Sequence, residues 1–513
     1  MKVIIKRALI SVANKKGIVS FAKYLNTLGV TIISTGGTSH LLKEANVPCT
    51  EVAEITGFPE MMSGRVKTLH PKIHGGILGC RQEHVEEASC HDIRWIDLVV
   101  VNLYPFAEII KQKQIQFSTA IENIDIGGPA MIRAAAKNMN DVAVVVNPDD
   151  YEELIQQMGN ECSLTLENRQ ALALKAFEYT AHYDATIHHY LCATVKNTEE
   201  LFPERLLFPL SKVKELRYGE NPNQRACSYQ FVGEPKGIFR TKQLQGKELS
   251  YNNLLDTDAA ISCIEEFTMP TCVIVKHANP CGVAIGANIC EAFERALDTD
   301  KLSAFGGIIA LNRICTEKTA YAITQSFFEV LLAPGFSKEA KAILSQKINL
   351  RVIELSDAPN FHDREYRSIT GGILIQVANK VTPADMSYRV VTRQKPSKEI
   401  MDELFFAWRI VKHIKSNAIL IAKNYQAIGI GGGQVSRIDA VDIAVRKASD
   451  RLDNAVLASD AFFPFRDSID HISTTGIMAI IQPGGSLRDQ EIINACDEHG
   501  IVMVMSGVRC FKH

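Results

Sequence analysis

Thirteen cysteines are scattered through the 513 residues without a single C-x-x-C pair, which argues against a zinc ribbon or a disulfide framework. Net charge is nearly absent as well. The 56 basic and 58 acidic residues leave −2, so a polyelectrolyte partner such as nucleic acid is not expected. No apolar run reaches the roughly eighteen residues that a membrane helix needs. The start, Met1 to Arg7, turns charged too soon for a signal peptide, and no low-complexity segment follows. What is present, 46% hydrophobic and 22% charged residues, suits an ordinary globular chain with room for more than one domain. Unpaired thiols without a leader lead us to expect a reducing, cytoplasmic setting and no membrane association.

The first ~195 residues alternate strand and helix signals, the pattern of a parallel α/β domain. Ala8 to Val12 reads as a strand, residues 17–28 as a helix and Val30 to Ser34 as the next strand. That strand runs into Thr35-Gly36-Gly37-Thr38-Ser39, where free backbone N–H groups could cradle phosphate and Thr38 or Ser39 could cap a helix. Many α/β turns carry glycines without any ligand, so the turn alone decides little. Residues 64–76 crowd Arg65, Lys67, His70, Lys72 and His74 into one polar loop, either a solvated basic surface or the counterpart of an anionic substrate. A strand over 97–101 ends in Asn102-Leu103-Tyr104-Pro105-Phe106. Residues 124–138 supply a turn at Asp125 and a helix with Lys137 about two turns along. A strand over 141–146 and a helix over 166–191 close the domain, with His182, His188 and His189 read as structural.

A boundary falls around 193–212, and a new kind of sequence follows. Arg217-Tyr218-Gly219-Glu220-Asn221-Pro222 is a polar loop, and residues 246–253 open a helix that passes Asp256. The stretch 272–282 is the centre of this half. Cys272 to Val275 form a buried strand, Asn279-Pro280-Cys281-Gly282 a tight turn, and Lys276 and His277 stand where the strand leaves the core. An imidazole there can exchange protons near neutral pH and an adjacent ammonium can stabilise developing negative charge. A satisfied histidine beside a snorkelling lysine is the plainer alternative for an isolated pair. Zinc deaminase chemistry does not fit, because Asn279 and Ala284 stand where a glutamate and a second cysteine would be required. No metal is therefore expected. The last third loosely repeats the element order of the middle third.

Nine motifs in order resemble one family. They are Ser-Thr-Gly-Gly-Thr at 34–38, Gly-Arg-Val-Lys-Thr-Leu-His-Pro at 64–71, Asn-Leu-Tyr-Pro-Phe at 102–106 and Ile-Asp-Ile-Gly-Gly at 124–128. Arg-Tyr-Gly-Glu-Asn-Pro at 217–222, Leu-Ser-Tyr-Asn-Asn at 249–253 and Lys-His-x-Asn-Pro-Cys-Gly at 276–282 continue them. Ser-Ala-Phe-Gly-Gly at 303–307 and Ser-Asp-Ala-Phe-Phe-Pro-Phe-Arg-Asp at 459–467 complete the set. The chain thus resembles the bifunctional purine-biosynthesis proteins that join AICAR transformylase to IMP cyclohydrolase. The resemblance implies a methylglyoxal-synthase-like parallel α/β domain over 1–195 as the cyclohydrolase. Two cytidine-deaminase-like α/β units without zinc, over 196–513, would form the formyltransferase. It implies transfer of a formyl group from 10-formyltetrahydrofolate to AICAR and closure of the product to IMP with loss of water, in a homodimer.

Site residues follow from the same resemblance. His277 would be the general base on the weakly nucleophilic AICAR amine, and Lys276 would hold the oxyanion or carboxamide. Arg217, Tyr218, Gly306, Glu329, Asn417, Phe462 and Arg509 would bind the nucleotide, with Arg437, Ile438 and the Pro483 loop towards the folate. In the first domain Lys137 would transfer protons, assisted by Asp125, Tyr104 and Lys67. Asn14, Lys15, Thr35, Gly36, Gly37, Thr38, Arg65, Thr68 and Asn102 would hold phosphate and heterocycle. Three places depart from the family: Ser-Val-Ala-Asn-Lys at 11–15 where Ser-Val-Ser-Asp-Lys is usual, Ala278 in place of an asparagine, and Asp300-Lys301-Leu302 without its proline. A formyltransferase whose first domain only senses nucleotides is the rival reading.

Overall fold

Four short, largely apolar runs and the two-residue segment Thr50–Glu51 assemble into one parallel sheet within the first 150 residues. They are β1 (Arg7–Val12), β2 (Thr31–Ser34), β3 (Thr50–Glu51), β4 (Leu98–Asn102) and β5 (Ala143–Val145), in the order β3-β2-β1-β4-β5. The computed structural model describes residues 2–112, 115–195, 201–232, 237–355 and 364–513. Its two compact units are Met1–Ser211 with Phe231–Glu234, and Lys212–Gln230 with Pro235–His513. The boundary expected at 195/196 precedes this division by one short segment.

In the first unit the two faces of the sheet bury different residues, as parallel sheets require. Ala8 and Ile10 pack with Phe21 and Leu25 of helix α1 (Ile18–Thr27) and with Leu42 of α2 (Gly36–Glu44). Leu9 and Val99 pack on the other face with Ile132 of α3 (Gly127–Lys137) and Ala176 of α4 (Leu166–Val195). From β1 the chain steps to β2 on one side and β4 on the other, so the carboxyl ends of these strands border a crevice where the strand order reverses. Helix α2 begins earlier than expected, at Gly36 with Thr35 as its N-cap residue. The Thr38 hydroxyl is therefore inside the helix and bonds to the Val12 backbone.

The second unit is a twelve-stranded sheet whose two halves repeat. The first half has β6 (Lys242–Gln245), β7 (Thr271–Lys276), β8 (Asn279–Ile285), β9 (Ile308–Leu311), β10 (Val330–Ala333) and β11 (Arg351–Glu354). The second has β12 (Arg389–Val390), β13 (Ile419–Lys423), β14 (Gln426–Gly431), β15 (Val456–Ser459), β16 (Ala479–Gln482) and β17 (Val502–Met505). The order is β6-β11-β10-β9-β7-β8-β14-β13-β15-β16-β17-β12, and parallel and antiparallel pairings match on the two sides of the central β8–β14 junction. The loose repeat seen in the sequence is thus a full structural one. Among the described residues no helix is long and apolar enough to cross a membrane.

Each half carries one hairpin with a two-residue turn of left-handed backbone. His277 and Ala278 have φ of 53° and 57°, and Asn424 and Tyr425 have 52° and 56°. Two consecutive positive φ values give the turn whose twist matches the strands, at a cost of about 1–2 kcal/mol for each non-glycine residue. Asn279-Pro280-Cys281-Gly282 is consequently not the turn but the first part of β8. Pro280 is tolerated because the register shifts opposite Val275.

Helices α6 (Ile289–Thr299) and α8 (Arg437–Ala448) lie close against β8 and β14. A Cβ on Gly282 would stand 2.1 Å from the Ala296 carbonyl oxygen, and one on Gly429 equally 2.1 Å from that of Ala444. Gly282→Ala and Gly429→Ala should each destabilise by about 1–3 kcal/mol through overpacking. Gly372→Ala, where nothing lies within 4 Å, should stay within about 0.5 kcal/mol. Thermal unfolding midpoints of the three variants check this; indistinguishable midpoints would mean that both helices yield freely.

Candidate active sites

The crevice of the first unit gathers most of the polar groups expected there. Lys15 donates to Thr38 Oγ1 at 2.6 Å and to the Val12 carbonyl. Burial, and then the charge of Lys67, lowers its pKa. The hydroxyls of Ser11 and Thr35 share a hydrogen bond of 2.7 Å. Asn102 Oδ1 accepts from the N–H groups of Ala13 and Asn14 at 2.7 and 2.8 Å. Those two N–H groups, the natural compensation for the missing serine and aspartate, are thus already engaged. Lys67 reaches the glycine turn, since a Cβ on Gly36 would lie 3.5 Å from its Nζ. Buried Thr68 faces the start of α3, with Oγ1 2.7 Å from the Cβ position of Gly127.

Glu60 and Asp125 are acids of this crevice. Glu60 Oε1 stands 3.9 Å from Lys67 Nζ. The Oδ1 of Asp125 accepts from the Gly128 N–H at 2.8 Å and its own N–H donates to the Tyr183 hydroxyl at 2.8 Å. Burial raises its pKa against the opposing pull of the Gly128 N–H, the Lys67 charge and the Tyr104 N–H. Helices α2 and α3 both begin here, so their N-termini join Lys15 and Lys67 in favouring an anion. The Tyr104 ring is half exposed, free to lie on a ligand.

Two residues stand differently from expectation. Arg65 is turned to Glu122, with Nε at 3.1 Å from its carboxylate, so its charge is already matched. Lys137 is exposed in the last turn of α3. Ten residues of helix separate it from Gly127, about 15 Å along the axis. In a parallel α/β layer that end points to the opposite edge of the sheet from the crevice. Lys67 is thus close enough to act on Asp125, while Lys137 stands at the end of α3 away from Gly127.

In the second unit the His277–Ala278 turn presents the lysine–histidine pair at the end of β7. Five residues of β7 are buried, Lys276 is half-buried and His277 is exposed. Lys276 Nζ donates to the Phe305 carbonyl at 2.7 Å, beside Gly306, whose N–H donates to the Phe327 carbonyl at 2.8 Å. Glu329 accepts from Asn253 Nδ2 at 2.7 Å, and Asn253 is fixed by a capping box with Ser250 at the start of α5 (Tyr251–Ile264). The Arg217 loop meets the same helix start, where Asn252 donates to the Glu220 carbonyl at 3.2 Å. The Arg217 guanidinium lies 5.3 Å from the Tyr218 ring centre.

The second repeat adds a wall. Asn279 donates to the His277 carbonyl at 2.9 Å and accepts from the Lys415 N–H at 3.0 Å, linking the turn to the segment that carries Asn417. A cavity of about 470 Å³ opens here, lined among others by Lys276, His277, Gly432, Gln434 and Lys447. Cys281 also lines it, but burial pushes its thiol up to about 12, so it is inert as a nucleophile near neutral pH. Arg437 is the surprise. It is buried and donates to Asp460 at 2.6 Å, Ser459 at 2.7 Å and Asn417 Oδ1 at 2.8 Å. Its donors face inward, which makes it a support for Asn417 rather than a group reaching towards folate. Ile438 and Phe462 are half-buried, Pro483 is buried, and Arg509 is exposed over the Phe511 ring at 4.6 Å.

Sequence reading passed over Asp256, whose carboxylate accepts the Ala278 N–H at 2.6 Å. An aspartate in the second turn of a helix carries no local signal; only the hairpin, unforeseen without an Asn-Gly pair, reveals its partner.

Residues 17–130 match the family model of MGS-like domains, and residues 135–447 match that of the AICARFT/IMPCHase bienzyme. Among solved structures, the one titled "Crystal structure of ForH" is 34% identical over 37% of this chain and 97% of its own, with a TM-score of 0.34. The bienzyme match alone spans more than half of the sequence, from just before Lys137 through the His277 turn. The chain belongs to the AICARFT/IMPCHase bienzyme family, whose members formylate AICAR and close the product to IMP in purine biosynthesis.

Proposed function

We propose that the two reactions of this bifunctional enzyme are divided between the two units, formyl transfer at the His277 turn and ring closure in the crevice of the first unit. The observation that carries the division is the clamped turn that offers His277 and Lys276 together at the rim of a 470 Å³ cavity, a volume suited to a small-molecule substrate. The AICAR amine is a poor nucleophile, its lone pair delocalised into the ring and carboxamide. His277 takes its proton as the formyl carbon is attacked, and Lys276 meets the charge that develops on oxygen. Arg217, Tyr218, Gly306, Glu329, Asn417, Phe462 and Arg509 hold the nucleotide in this reading, with Ile438 and the Pro483 loop on the folate side. Arg437 acts through Asn417.

Ring closure brings a carboxamide nitrogen onto a formyl carbon already tethered to the same molecule, so proximity supplies much of the rate. The protein then manages protons. Asp125 and Lys67, whose charge acts on the Asp125 carboxyl, suit that work, with Tyr104 beside them. Lys15, Thr35, Gly36, Gly37, Thr38, Thr68, Asn14 and Asn102 hold the phosphate and ribose end. This pairing of acid and ammonium favours chemistry over a purely sensing domain. Action as a cytoplasmic homodimer is part of the same reading and rests on the family resemblance; sedimentation equilibrium tests its oligomeric part.

His277→Ala should lower formyl transfer, read as tetrahydrofolate release, by about a hundredfold or more. Cyclisation of formylated AICAR should remain near wild type. Equal loss of both activities in a folded variant would sink the two-site division.

Lys67→Ala should slow cyclisation by about a hundredfold while formyl transfer persists. Lys137→Ala should slow it less. The order of the two losses identifies the proton-transfer lysine, and a larger loss at Lys137 would overturn the choice of Lys67.

A further inference from the structure

The two halves of the second unit solve one problem in the same way. A hairpin turn of two non-glycine residues in left-handed backbone must be held, and in each half a helix carboxylate holds it. In the first half Asp256, the sixth residue of α5, accepts from the Ala278 N–H at 2.6 Å, and the His277 N–H acts on the same carboxylate. In the second half Glu403, the sixth residue of helix α7 (Lys398–Val411), accepts from the Tyr425 N–H at 3.1 Å, joined by that of Asn424. The turns also correspond residue by residue, Lys276-His277-Ala278-Asn279 with Lys423-Asn424-Tyr425-Gln426. Only the first carries an imidazole.

We propose that Asp256 is a positioning residue for His277: it fixes the left-handed turn that aims the imidazole. This rests on the reading of His277 as the base in formyl transfer. The clamp belongs to the repeat, and in the first half chemistry has been placed on top of it. Burial raises the pKa of Asp256, and the charges of His277 and Glu329 act on it in opposite senses. The other charged groups near the imidazole are Lys276 on its own strand and, in the cavity lining, Asp300 and Lys447, which pair with each other at 2.9 Å. Asp256 is thus the carboxylate coupled to the imidazole without a cation of its own among these groups.

The test uses the full chain and follows tetrahydrofolate release as AICAR is varied. Asp256→Ala removes the acceptor that holds the turn and should lower kcat by on the order of ten- to a hundredfold with little change in the KM for AICAR. Asp256→Asn keeps an oxygen to accept the N–H and should retain more of kcat than the alanine variant. Asp256→Glu should restore most of the loss, since a glutamate does this work at the second turn. Glu403→Gln should leave kcat as it is, and cyclisation of formylated AICAR should be unchanged throughout. An unchanged kcat in Asp256→Ala, a loss seen in KM alone, or the same kinetic loss in Glu403→Gln overturns the proposal and reduces Asp256 to a fold contact. His277→Ala separates the two levels. If it retains formyl transfer, the base assignment fails and takes this proposal with it; if it loses formyl transfer while Asp256→Ala keeps it, this proposal fails alone.

Discussion

Backbone-to-backbone approach at two glycines sets the geometry of the second unit. At Gly282 and Gly429 a helix carbonyl occupies the space where any side chain would begin. That contact seats α6 and α8 directly on β8 and β14, the two strands that meet at the centre of the sheet. The ends of these helices then bring Thr299, Asp300, Ile443 and Lys447 to the cavity beside His277. A bulkier residue at either glycine would lift a helix, and the cavity walls would move with it. Packing density sets the cavity walls, and hydrogen bonds hold the turn that faces them.

The two sites solve their electrostatics differently. In the first unit, Lys15, Lys67 and two helix N-termini gather around a crevice where the half-buried Asp125 has a raised pKa and Glu60 stands 3.9 Å from Lys67, an arrangement that favours an incoming phosphate before any chemistry. In the second, charges are mostly paired off within the protein: Arg437 with Asp460, Lys447 with Asp300, Arg351 with Glu329 at 3.6 Å. The cavity there is lined by polar and apolar groups alike, Lys276, Asn279, Ser303 and Gln434 beside Pro280, Ile414 and Ile430.

Much of this was legible in the sequence, and the rest failed for identifiable reasons. The parallel sheet, the glycine turn after β2, and the lysine–histidine pair at a strand exit follow from hydrophobic period and turn chemistry. The hairpin at His277–Ala278 was not legible, because neither residue advertises positive φ and the neighbouring Asn-Pro does advertise a turn. The place of Lys137 was not legible for a different reason. It lies ten residues beyond Gly127 on one helix, which sets its backbone about 15 Å along the axis from the turn at Asp125. Arg437 shows the same limit, since a guanidinium beside a glycine loop looks available until the buried aspartate opposite it is seen. The second repeat was only hinted at, as its halves share geometry and little identity.

The inward-facing Arg437 has a consequence for how the second site meets its surroundings. Counterions screen charges over about 10 Å of solvent at 0.1 M ionic strength, but they have little hold on a pair excluded from water. Arg437 and Asp460 have side chains 5% and 0% exposed, so the support under Asn417 is insulated from the ionic medium. Arg217 and Arg509, both on the surface, are not. With Arg217, Arg509 and Asn417 holding the nucleotide as proposed, changing salt tunes how strongly an anionic substrate is drawn in, while the orientation it finds at Asn417 stays the same.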